Sequence, residues 1–112
     1  MHELALTCQI VETAAQAAAG RPVARVTLVI GRLSGVMAEA IRFCFPEVAR
    51  KTLLDGAVLD IEEPDGWARC NLCGVEFATP DWLTACRCGS YDVTRLRGEE
   101  LLIHSIELTE AA

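Results

Sequence analysis

The sequence predicts an α+β fold: two helices on a three-stranded sheet, with a cysteine-rich module inserted before the last strand. Three observations carry this. Helix-like and strand-like patterns alternate through residue 63. From Asp65 to Arg97 the texture changes to four cysteines, two tryptophans and few aliphatics. Strand-like alternation then returns at Leu101–Leu108. A chain of 112 residues, 52% of them apolar, is long enough for one small core and too short for a large catalytic cleft.

The elements follow in order. Leu4, Cys8, Val11, Ala15 and Ala18 recur at spacings of three and four, predicting a helix over His2–Ala19 that Gly20 and Pro22 end. Val23–Ile30 is rich in β-branched residues and stops at Gly31, as a strand does. Val36–Thr52 is helical in pattern, with Ile41, Phe45 and Val48 on one side and Glu39, Arg42, Glu47 and Arg50 largely away from it. Pro46 inside that stretch predicts a kink or two shorter helices. Gly56 opens a second strand over Ala57–Glu63, ended by Pro64. The expected division is therefore residues 1–66, completed by 98–112, and a metal-binding module at 67–97.

Charge limits the function. With 16 acidic and 10 basic side chains the net charge is −6, which opposes phosphate-backbone binding and suits cations. The module itself balances Arg69, Arg87, Arg95 and Arg97 against Asp65, Glu76, Asp81 and Asp92, so it has no basic stripe. No apolar run is long enough for a membrane span, and the N-terminus has no basic-then-apolar leader pattern. A cytoplasmic protein is expected, and there close cysteine pairs bind metal more often than they form disulfides.

Cys70-Asn71-Leu72-Cys73-Gly74 and Cys86-Arg87-Cys88-Gly89 offer four thiolates on two turns. Zinc favours such a set, being tetrahedral and suited to sulfur. Glycine after each second cysteine lets the turn curl so that backbone amides face the sulfurs. The second pair is Cys-x-Cys, one residue shorter than the usual knuckle; residues i and i+2 of an extended chain still point the same way. Iron in a rubredoxin-like site and a thiol–disulfide switch are the competing readings. Cys8 and Cys44 read as small apolar residues on helix faces.

The chain opens Met1-His2-Glu3. An imidazole beside the terminal amine and the first backbone amides forms a chelating set for nickel or copper, and Glu3 adds an oxygen ligand or a hydrogen-bond acceptor. A solvated histidine, with Glu3 complementing the helix dipole, is the plain reading of the same residues. His104, amid aliphatics in the last strand, reads as a structural or surface residue. There is no Ser/His/Asp or Cys/His catalytic set and no glycine-rich phosphate loop, so no enzyme is expected.

Together, the Met1-His2-Glu3 start, the amphipathic helix, the strand ending in Ile-Gly, Phe43-Cys44-Phe45 and the late cysteine pairs resemble the HypA/HybF nickel metallochaperones of [NiFe]-hydrogenase maturation. Some members also serve urease. The resemblance implies Ni(II) held by His2 with the backbone amides of His2 and Glu3. It implies structural Zn(II) held by Cys70, Cys73, Cys86 and Cys88 in a zinc-ribbon-like module. The implied partners are a HypB-type accessory GTPase and the hydrogenase large-subunit precursor. Many members carry an acidic residue where Met37 stands here; Glu39 is the nearest carboxylate. The alternative function is a zinc-ribbon protein-interaction module without nickel. An apolar edge strand permits a monomer or a weak or swapped homodimer.

Overall fold

A computed structural model describes residues 2–110. Its elements are α1 (Glu3–Ala18), β1 (Val23–Ile30), α2 (Ala38–Ala49), β2 (Val58–Glu62), β3 (Gly66–Cys70), β4 (Glu76–Thr79), β5 (Val93–Arg97) and β6 (Leu101–Leu108). They form two three-stranded sheets, ordered β2-β1-β6 and β4-β3-β5. The chain divides into one compact unit of Met1–Leu28, Met37–Ile61 and Leu102–Ala112, and a second of Val29–Val36 and Glu62–Leu101.

In the first unit, α1 and α2 pack on each other and Val26, Leu28, Ile41, Phe45 and Leu54 are buried. β1 runs over the residues expected of it, because its branched side chains suit a pleated surface and Val23, Val26, Leu28 and Ile30 all bury. The buried face of α1 differs from the expected one. Glu3, Thr7, Ile10, Val11, Ala14 and Ala18 face inward, whereas Leu4 is 59% exposed and Cys8 is exposed too. The helix is rich in small residues on every side, so apolar spacing alone does not orient it; Ile10 and close approach at Ala14 and Ala18 do. Thr7 tolerates burial because its hydroxyl donates to the Glu3 carbonyl at 2.6 Å. Cys44 is half-buried, so neither helix cysteine is a core residue.

The second helix is shorter than expected and passes through Pro46 as one element. Proline forfeits one bond, that to the Arg42 carbonyl, and Phe45 and Ala49 beside it are buried. Glu39 pairs with Arg42 and Glu47 with Arg50 along the outer face.

The second unit contains a sheet that sequence pattern does not reveal. β3 pairs antiparallel with both β4 and β5, with a bulge between Trp67 and Ala68. Its interior is thin: Ala68, Cys70, Thr79 and Cys86 are buried, with Leu33. The Arg95 guanidinium lies 4.1 Å from the Trp82 ring centre and that of Arg97 5.1 Å from Trp67.

Candidate metal centre

The four module cysteines come from two turns that the sheet draws together. Cys70 ends β3 and Cys73 follows in the turn before β4, where the Gly74 amide donates to the Cys70 carbonyl at 3.0 Å and Gly74 takes φ +81°. The amides of Leu72 and Cys73 both donate to Cys70 Sγ at 3.4 Å. The second turn closes differently: the Cys86 amide donates to the Ser90 carbonyl at 2.9 Å and the Gly89 amide to the Cys86 carbonyl at 2.8 Å. Among the described residues no amide donates to Cys86 or Cys88 Sγ, as the shorter knuckle implies. Asn71 fastens the two turns, its amide donating to the Asp92 carbonyl at 2.9 Å and its side chain to the Asp92 carboxylate at 3.0 Å.

The four sulfurs all lie within 4.8 Å of one another. Cys70 and Cys88 Sγ are 3.7 Å apart, Cys73 and Cys86 Sγ 3.5 Å. A tetrahedral ion with metal–sulfur bonds of about 2.3 Å requires sulfur–sulfur separations of roughly 3.8 Å. The arrangement therefore fits Zn(II), with Cys70 and Cys86 buried and Cys73 and Cys88 toward solvent. The Cys73 amide, then that of Leu72, stabilises the Cys70 thiolate and lowers that thiol to about 6. A closed tetrathiolate leaves no open position for substrate, which makes this centre a staple.

The N-terminal residues form a separate arrangement. His2 is exposed at the N-cap of α1 and its carbonyl accepts from the Leu6 amide at 2.8 Å, while its imidazole makes no capping bond. Met1, the remaining member of the expected chelate, lies outside the described residues. Glu3 is only 8% exposed, and its Oε2 accepts from the Met37 amide at 3.1 Å. That carboxyl is lowered to about 2, first by the terminal ammonium and then by the Met37 amide. Glu3 thus ties the start of α1 to the start of α2, where Met37 offers no side-chain cap. Sequence reading does not find this tie; its partners are 34 residues apart and no local pattern marks them. Glu39 is engaged by Arg42, and His104 is exposed on β6.

With that geometry in hand, similarity to known proteins decides the lineage. A family model described as "Hydrogenase/urease nickel incorporation, metallochaperone, hypA" matches residues 1–108. The chain belongs to the HypA family. A hydrogenase maturation factor HypA of Trichormus variabilis is 46% identical over 110 residues, covering 98% of this chain and 97% of its own. That of Geobacter metallireducens is 44% identical, covering 96% and 99%. The HypA fold is shared by the solution structure of the Ni metallochaperone HypA from Helicobacter pylori, at 24% identity and a TM-score of 0.63, over 96% of this chain and 97% of that one. Hydrogenase maturation and nickel handling are the work of the HypA family. No helix among the described residues is long and apolar enough to cross a membrane.

Proposed function

We propose that this HypA-family chain carries Ni(II) as cargo at its N-terminus and delivers it for maturation of [NiFe]-hydrogenase, and of urease where one is served. The exposed His2 imidazole, on a helix start fixed by the buried Glu3 carboxylate, is the observation that carries the reading. The imidazole and the first backbone amides bind the ion, since the helix does not use those amides internally. Glu3 contributes its amide, and its carboxylate holds the helix start that presents His2. Such a site is open on one side, which suits release to a partner better than storage.

Nickel handling belongs to residues 1–66 with 98–112, and Zn(II) at Cys70, Cys73, Cys86 and Cys88 shapes the 67–97 module. The partners are a HypB-type GTPase, which supplies the nucleotide hydrolysis this chain has no phosphate loop for, and the hydrogenase large-subunit precursor, in the cytoplasm. Nucleic acid is disfavoured, because Arg95 and Arg97 stack on Trp82 and Trp67. Binding and handing over an ion need no covalent chemistry, and the chain acts as a carrier and not as an enzyme.

Calorimetric titration of nickel into untagged, zinc-loaded protein tests this, with His2→Ala and an N-terminally extended chain alongside. One nickel per chain is expected for the parent, with at least about a hundredfold loss of affinity in both variants. Equal binding by all three would leave a zinc-stabilised protein-interaction module as the better description.

A further inference from the structure

A shallow groove of about 480 Å³ lies between α1 and the end of α2. Cys8, Val11 and Ala15 of α1 and Val48 of α2 supply its apolar lining, with Glu12 and Gln16 as polar members. The α1 residues belong to the apolar series Leu4, Cys8, Val11, Ala15. That helix turns Thr7, Ile10, Ala14 and Ala18 to the core instead. Leu4 and Cys8 are left exposed, and Ala15 and Val48 half-buried. The helix is thus apolar on two sides, and only one of them is covered.

Charge along the groove is one-sided. α1 contains two charged residues, Glu3 and Glu12, and no lysine or arginine. Glu3 is buried with its carboxylate on the Met37 amide, so Glu12 is the charge that α1 shows to solvent. No lysine or arginine lines the groove, and no ion pair among the described residues engages Glu12. From Cys8 to Gln16 the groove follows two turns of α1, about 12 Å. A third helix laid along that length sets its own i, i+3, i+4 and i+7 side chains among residues 8, 11 and 15.

We propose that this groove docks a basic amphipathic helix of a partner protein. The apolar face of that helix covers Cys8, Val11, Ala15 and Val48, and a lysine or arginine on its flank meets Glu12. An acidic helix would set like charge against Glu12, and the chain's net charge of −6 steers the same cationic partner toward it. A strand finds no sheet edge to pair with here, because the lining comes from helices. Neither helix of a second copy supplies the cation: α1 has none, and Arg42 and Arg50 are paired with Glu39 and Glu47.

The probe is a peptide of about 18 residues, leucine at helical i, i+3, i+4, i+7 spacing and lysine elsewhere, beside a twin with glutamate for lysine. Both are titrated into the full, zinc-loaded chain at physiological salt, with affinity read by fluorescence anisotropy and location by amide chemical shifts. The lysine peptide is expected to bind at least about tenfold tighter than its twin, shifting the amides of Val11, Ala15 and Val48. Glu12→Lys, an exposed change, is expected to reverse that preference. Val48→Lys is expected to weaken binding of the lysine peptide at least about tenfold. Val58→Lys, the same charge change on β2 at a position 47% exposed in the parent, is expected to leave it unchanged. Equal melting of the variants separates lost docking from lost folding. Equal affinity for the two peptides, a preference that survives Glu12→Lys, equal loss in Val58→Lys, or shifts confined to other residues would each overturn the proposal. Groove shifts that grow with protein concentration without peptide would give the face to a second copy, and overturn it too.

Discussion

Removal of zinc is expected to melt β3, β4 and β5 together. Residues 66–97 bury Ala68, Cys70, Thr79 and Cys86 but no large apolar side chain, so packing alone does not offset the entropy of ordering some thirty residues. Structural zinc contributes on the order of 10 kcal/mol in small modules of this kind. Without the ion, four thiols within 4.8 Å retain only weak sulfur hydrogen bonds and the two Cys70 amide contacts. Cys70→Ser should act like a chelator, because oxygen is a poor substitute for thiolate at zinc. Residue-resolved amide exchange checks this. Protection in residues 66–97 should fall by several orders of magnitude on chelation, while the amides of Val26, Leu28 and Ile41 keep theirs. Unchanged protection of β3 in metal-free protein would show that the module folds by packing.

The second large effect is expected at Gly31, just after β1. A Cβ built there would stand 2.1 Å from the Gly98 carbonyl oxygen and 2.4 Å from its carbon, both backbone atoms. Neither side can yield easily: the Gly31 amide donates to the Glu100 carbonyl and the Leu33 amide to the Gly98 carbonyl, both at 2.8 Å. Gly98 in turn has φ +119° and would meet Gly66 Cα at 2.4 Å, and a Cβ on Gly66 would meet Leu33 Cδ1 at 2.2 Å. Three backbone segments therefore cross where none has a side chain. Gly31→Ala should cost about 3 kcal/mol or more, above ordinary overpacking because the obstruction is backbone. Denaturant titration against the parent measures it. A loss below about 1 kcal/mol would mean that these segments move apart freely.

What could be read from the sequence depended on how much each segment's own chemistry dictated. β1 and β6 follow from branched or alternating apolar runs, β1 closed by Gly31, and their observed spans match the pattern. The cysteine cluster was legible because ligand number, turn spacing and the glycines at 74 and 89 point to one ion; even the shortened second pair delivers both sulfurs. The orientation of α1 was not legible. Its alanines permit several faces, and the one chosen buries Glu3 and Thr7, whose partners supply what solvent would. The second sheet was hidden for a related reason: β3, β4 and β5 are four or five residues long, and their pairing depends on the turns that the cysteines close. Pro46 marked a kink or a division into two helices; the helix runs through it undivided, with Phe45 and Ala49 buried beside it.

Under the proposed function two metals divide between two chemically distinct sites, nickel at the nitrogen-rich N-terminus and zinc at the four thiolates. X-ray absorption at the nickel and zinc edges of one doubly loaded sample distinguishes the two sites. A nickel edge with only nitrogen and oxygen neighbours, beside a zinc edge with four sulfurs at about 2.3 Å, is the expected result. Sulfur at the nickel edge, or nitrogen replacing sulfur at the zinc edge, would contradict the division and place nickel in the cysteine module.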